Sequence, residues 1–277
     1  MDEKWADIQD KVYGWFCTID STYQSSLELL KINPFTQLTL DTTLSSGIKG
    51  IALTLVSLFF IAQFCNEAMY LRIQSYEQVL KLVFRFTLGK VLVDNASNLM
   101  GIIYTSFNGL AANLSENSYG FMSKFTVDAL ISKPKSAGFM GINYMLEYVA
   151  SLPVIFILIG AGWVISLVLI GRLFEVMIYT IIAPIPLATF AGEGWTESVK
   201  NFIKNYAAVC LQGLIIIVMF NAFTQISSLA NTVVVTREPD GTLSSTTVQG
   251  LSMTVTALSL ALGVSKSGQW SRQAVGL

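Results

Sequence analysis

The sequence predicts an all-α, polytopic helical membrane protein, and three observations carry that prediction. Hydrophobic residues fill 53% of the 277 positions and charged residues only 13%, against roughly 25% charged in a soluble domain. Mean hydropathy is +0.58. Long apolar runs recur, the longest being Val149–Gly171, 23 residues without a charge, where ~20 suffice to cross a hydrocarbon core. Backbone in lipid must satisfy its own hydrogen bonds, so such runs form helices rather than open strands. The expected architecture has about five full spans, one Pro-broken or re-entrant segment and an amphipathic N-terminal helical region.

Residues 1–47 read as an extracellular amphipathic helical leader. Trp5, Ile8, Val12, Trp15, Phe16 and Ile19 recur at three- and four-residue steps, opposite Asp2, Glu3, Asp7, Asp10 and Lys11. Two tryptophans on that face suit the headgroup layer, and the same face would equally serve a partner protein. No basic stretch precedes a short apolar core, so targeting is expected from an internal span.

Residues 48–107 hold the first two spans. Ile48–Cys65 is straightforward, with Lys49 at its start and Glu67 just beyond. Val79–Phe107 is costly, because it contains Lys81, Arg85, Lys90 and Asp94. A charge at a helix centre costs roughly 2.5–3.5 kcal/mol, and each Leu, Ile, Phe or Val returns only about 0.3–0.6. Lys81 and Arg85 can snorkel at one end, and Lys90 can pair with Asp94 one turn on. The span is expected to face protein or water, and its four charges are candidates for a functional site.

Residues 108–144, with Gly109, Gly120, Pro134, Gly138 and Gly141, read as an extracellular loop. The central core, 145–230, opens with Val149–Gly171, in which Pro153 is expected in the first turn. Arg172 and Glu175 then interrupt the apolar pattern, three apart and able to pair. Val176–Ala191 is apolar but only 16 residues long. Pro184 and Pro186 push Ala183 and Ile185 from helical geometry, so this segment is expected to break. With Gly192, Gly194 and Trp195 it forms the candidate gating core, since irregular backbone at that depth must be covered by protein or line a cavity. Thr196 can cap a new helix carrying Glu197 in its first turn, and that helix becomes a span over about Tyr206–Leu229.

Residues 231–247 read as a second extracellular loop, in which Arg237-Glu238-Pro239-Asp240-Gly241-Thr242 signals a short hairpin. The last span and tail occupy 248–277. Ser252, Thr256, Ser259 and Gly263 share one face there, a small-residue seam for close helix packing. Lys266, Trp270 and Arg272 suit an interfacial anchor. Basic residues near the span ends (Arg72, Lys81, Arg85, Lys200, Lys204, Lys266 and Arg272) are expected in the cytoplasm, which leaves the N-terminus outside.

Catalysis finds little material. The chain has no histidine, the commonest general base and metal ligand. It has no GxSxG, HExxH, Walker A or GxGxxG pattern. Cys17, Cys65 and Cys210 lack metal or redox spacing, and only Asp94 is clearly an intraspan carboxylate. No catalytic residue, cofactor or metal is therefore expected, and a net charge of −1 creates no field for nucleic acid.

One stretch resembles a known family. The run from Ile178 through Ala183-Pro184-Ile185-Pro186 to Gly192-Glu193-Gly194-Trp195, then Val199-Lys200-Asn201-Phe202 and Ala207 to Gln212-Gly213, is similar to the TrbL-like conjugal transfer proteins. These are the polytopic channel subunits of type IV secretion systems, and the likeness is greatest to compact Gram-positive variants. It is most specific over Ile170–Phe223. The resemblance implies a multi-pass subunit of the bacterial cytoplasmic membrane that meets lipid, forms homo-oligomers and joins other secretion subunits, ATPases among them. It further implies transient contact with translocated DNA–protein substrates. The alternative reading is a small-molecule or ion transporter built on the broken helix, although no matching interrupted segment or internal repeat is present.

Overall fold

Every element among the described residues is helical. The computed structural model describes residues 2–37, 42–69, 76–115, 142–192, 196–236 and 245–277. Helix α1 spans Asp2–Lys31, and α2 is the single turn Pro34–Gln37. Then follow α3 (Thr42–Met69), α4 (Tyr76–Asp94) and α5 (Ala96–Ser115). Helix α6 runs Ile142–Ile182, α7 Pro184–Ala188, α8 Thr196–Thr236 and α9 Ser245–Val275. A single 3-10 turn, Thr189–Ala191, follows α7.

Among the described residues, three stretches are long and apolar enough to cross a membrane: Leu44–Met69, Ser151–Ala191 and Glu197–Phe223. Helices α4 and α5, which share Val79–Phe107, are not among them, and all four charges of that stretch lie on α4. That stretch is also not one helix. It divides at Asn95, whose side-chain Nδ2 donates to Val91 O at 2.9 Å while its own N–H bonds the same carbonyl at 3.0 Å. An amide that competes for a helical carbonyl favours a local bend.

The central core differs from expectation in the opposite direction, toward continuity. Val149–Gly171 and the start of Val176–Ala191 belong to one helix, α6, of 41 residues, about 60 Å at 1.5 Å per residue. Pro153 lies well inside it rather than in the first turn. Ala183 keeps α-helical angles, φ −46° and ψ −39°. Its N–H bonds Tyr179 O at 2.9 Å, and Leu187 N–H returns to Ala183 O at 3.2 Å. Pro184 and Pro186 thus remove two N–H donors without unwinding the chain, and α7 begins at once with Pro184 in its first turn, where a proline is tolerated. The break comes later, at Gly192, which is extended with ψ 146°. Around the loops, α8 continues helically through Thr236, so the first arm of the expected hairpin is helix; residues 237–244 lie outside the described residues, as do 116–141, Arg72, Gly194 and Trp195.

The chain divides into two compact units. The first comprises α1, α6 as far as Ile170, α8 from Gly213 and α9 as far as Gly268. Its core joins Val12, Ile19, Tyr23, Leu27 and Leu30 of α1 to Ile155, Leu158, Ile165 and Leu169 of α6. Phe220 and Phe223 of α8 and Met253, Ala257 and Leu260 of α9 complete it. The α1 positions recur at steps of three, four and seven, one helix face, so the leader is a packed member of a bundle rather than a separate layer.

The second unit holds α2 to α4, α5 as far as Leu110, the end of α6, α7 and the 3-10 turn, the start of α8 and the end of α9. Its core includes Ala52 and Val56 of α3 and Val93, Met100 and Tyr104 of α4 and α5. Ala183, Leu187, Ala188 and Ala191 of the proline segment, with Tyr206 and Cys210 of α8, fill it. Helix α7 and the 3-10 turn pack on both α3 and α4. They approach closely at Gly89 of α4, where a Cβ would stand 3.2 Å from Ala191 Cβ and 3.4 Å from Ala191 N. Backbone therefore abuts backbone there, a use of glycine typical of helices packed in membranes.

This contact yields a stability prediction. Gly89→Leu must push the 3-10 turn off α4 and should cost about 1–3 kcal/mol, the usual range for overpacking. Gly109→Ala, with nothing within 4 Å of the added carbon, should be neutral or mildly stabilising. Thermal midpoints of the two variants in one mild detergent check this, and equal midpoints would refute the close packing.

Candidate functional site

A buried polar cluster of the second unit centres on Arg172. This residue sits about three quarters of the way along α6 and is buried, so its charge has lost nearly all contact with water. It is not paired with Glu175, which is exposed. Instead its Nε donates to Val209 O at 3.2 Å and its Nη2 to Cys210 O at 3.4 Å, both carbonyls of α8. The guanidinium carbon also lies 5.9 Å from the centre of the Tyr104 ring, within reach of a cation–π attraction. The planar fork of arginine suits two successive carbonyls, and helix α8 thereby solvates a cation that no carboxylate accompanies among the described residues.

Two tyrosines extend this network. Tyr104 Oη donates to Ile32 O at 2.9 Å, and Tyr206 Oη to Met100 O at 3.0 Å. Tyr206 also meets Tyr179 edge-on at 6.3 Å, and Tyr179 packs on Phe202 at 5.7 Å. Each hydroxyl ends on a backbone carbonyl of another element, which ties α5 to the segment before α2 and α8 to α5. Such bonds matter because a buried hydroxyl without a partner costs free energy. The sequence signal for them was thin: a tyrosine inside an apolar run has an –OH that must reach something, and nothing local shows what.

The four charges assigned to Val79–Phe107 do not converge. Lys81 and Lys90 are exposed and Arg85 half-buried. Asp94 pairs with Lys49 of α3 at 3.2 Å rather than with Lys90, and the same ammonium donates to Asp94 O at 3.1 Å. The helix stops at Asp94, so its last carbonyls lack helical donors and a lysine from the neighbouring helix supplies one. Sequence spacing favoured Lys90, and the tertiary contact decides for Lys49.

Of the gating candidates, Pro184 and Gly192 are buried and Pro186 half-buried against α3 and α4. The Thr189 hydroxyl donates to Pro186 O at 2.7 Å, which secures the short turn. The α9 seam is displaced from the expected one. Ser259 is exposed and Thr256 half-buried, while the buried face runs through Met253, Ala257, Leu260 and Val264. Ser252 also lies on α9. Gly263 meets the role, since a side-chain carbon there would run into the Met219 methyl group of α8. Among the described residues no group of three histidine, cysteine, aspartate or glutamate side chains gathers. No family model, curated protein or solved structure matches the chain.

Two predictions test these pairings. Arg172→Met strips two charge-assisted hydrogen bonds, each worth about 1.5–3 kcal/mol, and should lower the thermal midpoint clearly, whereas Glu175→Gln should leave it unchanged. Similar losses in both would restore the Arg172–Glu175 pair. A double-mutant cycle on Lys49 and Asp94 should give a coupling of about 0.2–1 kcal/mol, the range for partly exposed pairs. The cycle on Lys90 and Asp94 should give none.

Proposed function

We propose that this chain is a channel or scaffold subunit of a conjugative type IV secretion machine, helping DNA–protein substrates across the cytoplasmic membrane. One observation supports this reading most. The stretch that resembles the TrbL-like proteins, Ile170–Phe223, supplies much of the buried centre of the second unit, and its proline segment is enclosed by α3 and α4. Enclosure in protein is the condition under which helix irregularities persist at membrane depth.

In this reading the chain is a multi-pass protein of a Gram-positive cytoplasmic membrane with its N-terminus outside, and it carries no catalytic activity. Energy comes from partner ATPases, because the sequence has no phosphate-binding loop of its own. The many exposed apolar side chains, such as Leu58, Ile61, Phe84 and Phe174, are covered by lipid, by further copies of the chain or by other secretion subunits.

Pro184→Ala restores an N–H at the junction of α6 and α7 and removes the constraint of the proline ring, so DNA transfer should fall at least tenfold, as about 1.4 kcal/mol in a functional equilibrium would give. Membrane insertion, followed by carbonate extraction, should be unaffected. Mild-detergent purification should bring down secretion ATPases or a discrete homo-oligomer. Wild-type transfer in the variant removes the gating role. A lone monomer stabilised by a small solute would replace the conduit by the transporter reading.

A further inference from the structure

Helix α1 has two faces of different kind, and its contacts fix how deep it lies. Tyr23 Oη donates to Leu158 O at 3.4 Å, and the hydroxyls of Ser26 and Ser166 share a hydrogen bond of 2.8 Å. A Cβ on Gly162 would touch Thr22 and Tyr23 at 3.2 and 3.3 Å. From Gly162 to Ser166 the neighbours on α1 advance from Thr22 to Ser26, so the two helices run parallel, offset by 140 positions. The Tyr23 ring reaches back one turn to Leu158, the direction in which long helical side chains lean. On that offset Lys11 stands level with Ser151, Asp20 with Gly160 and Glu28 with Val168. Asp20 is thus beside the midpoint of the uncharged run Val149–Gly171.

Beyond the exposed rings of Tyr13 and Trp15, the outer face of α1 is hydrophilic through the middle and far half of this depth. Lys11, Gly14, Thr18, Ser21, Ser25 and Glu28 are all exposed, and their steps of three and four place them on one stripe. Asp20 and Gln24 stand half-buried. Between Phe16 and Leu30, α1 exposes no large apolar side chain. The neighbouring helix does the reverse. Phe156, Trp163 and Leu167 of α6 are 65%, 64% and 66% exposed, and Val255 and Leu262 of α9 are likewise turned outward. Those surfaces match lipid. An acidic side chain at mid-bilayer depth, by contrast, belongs against water or a polar partner.

We infer that α1 lines a water-filled path through the membrane, held to α6 by its apolar face and turned to water by its Thr18–Ser21–Ser25 stripe. This deepens the conduit reading and rests on it for what crosses. The hydroxyls bond carbonyls of their own helix, Thr18 to Gly14 O at 3.0 Å and Ser25 to Ser21 O at 2.7 Å. Their donors are thereby occupied, and their oxygens still accept hydrogen bonds from water. A wall of this kind is wet yet nearly neutral at its centre, where Asp20 is its one charge, and it suits a polar cargo of mixed charge.

The test is thiol labelling of the full chain in native membranes. The background carries Cys17→Ser and Cys65→Ser, which removes the two exposed cysteines. Ser21→Cys and Ser25→Cys are compared with Phe156→Cys and Leu167→Cys. The probe is sulfonatoethyl methanethiosulfonate, charged and membrane-impermeant, applied to cells and to inverted vesicles. A cysteine thiolate attacks its sulfenyl sulfur, forms a mixed disulfide and expels the sulfinate. Because only the thiolate reacts, cysteines in water should label at least about tenfold faster than cysteines in hydrocarbon. The expected result is rapid labelling of Ser21→Cys and Ser25→Cys and slow labelling of both α6 variants. Equally slow labelling of all four overturns the inference, since the stripe is then covered by lipid or protein. Equally fast labelling of all four also overturns it, since α6 then lies outside the bilayer. Labelling is read without DNA transfer, so a failure of the secretion reading leaves this result distinct.

Discussion

A guanidinium withdrawn from water has to be solvated by the protein, and α8 performs that service for Arg172. The requirement organises the second unit. Two carbonyls of α8 turn toward the cation, Tyr104 presents its ring to it, and the Tyr104 hydroxyl is in turn satisfied by Ile32 O. An ion pair with Glu175 would have left the carboxylate buried too, and two buried ions pay two desolvation penalties. Leaving Glu175 in the open and borrowing backbone dipoles avoids the second. The cost is that α6 and α8 must hold a fixed register at this point, because carbonyls cannot follow the arginine if it slides.

The same preference for backbone acceptors recurs elsewhere. Tyr206 ends on Met100 O, Tyr23 on Leu158 O, and Lys49 takes both the carboxylate and the carbonyl of Asp94. Between apolar helices there is little hydrophobic gain on association in lipid, so packing and such hydrogen bonds carry more of the specificity. The proline segment follows the same logic. Pro184 and Pro186 delete donors, but the chain remains helical because α3 and α4 enclose it and the Thr189 hydroxyl returns a bond to Pro186 O. Close backbone contact at Gly89 then leaves the turn little room to move.

Several features were legible in the residues themselves. The all-helical character follows from apolar run length and the scarcity of charge, and Leu44–Met69, Ser151–Ala191 and Glu197–Phe223 carry it. The charged character of the first half of Val79–Phe107, which is α4, was legible as well. The amphipathic period of α1 was legible too, and Val12 and Ile19 are buried as that period requires. Their partner was not, because periodicity gives a direction around a helix axis and says nothing about what lies there.

Sequence by itself therefore determined which segments are helices, which are apolar enough for lipid, and which polar residues would be expensive inside. Only the tertiary structure decided who solvates them. Asp94 has Lys90 one turn ahead on its own helix, yet Lys49 reaches it across 45 positions. Arg172 has Glu175 three residues away, yet α8 takes its charge. Local spacing counts the partners available along one helix, whereas a buried polar group is satisfied by whichever donor or acceptor packing brings within about 3 Å. That geometry depends on how helices far apart in sequence are pressed together, and so it cannot be read from spacing alone.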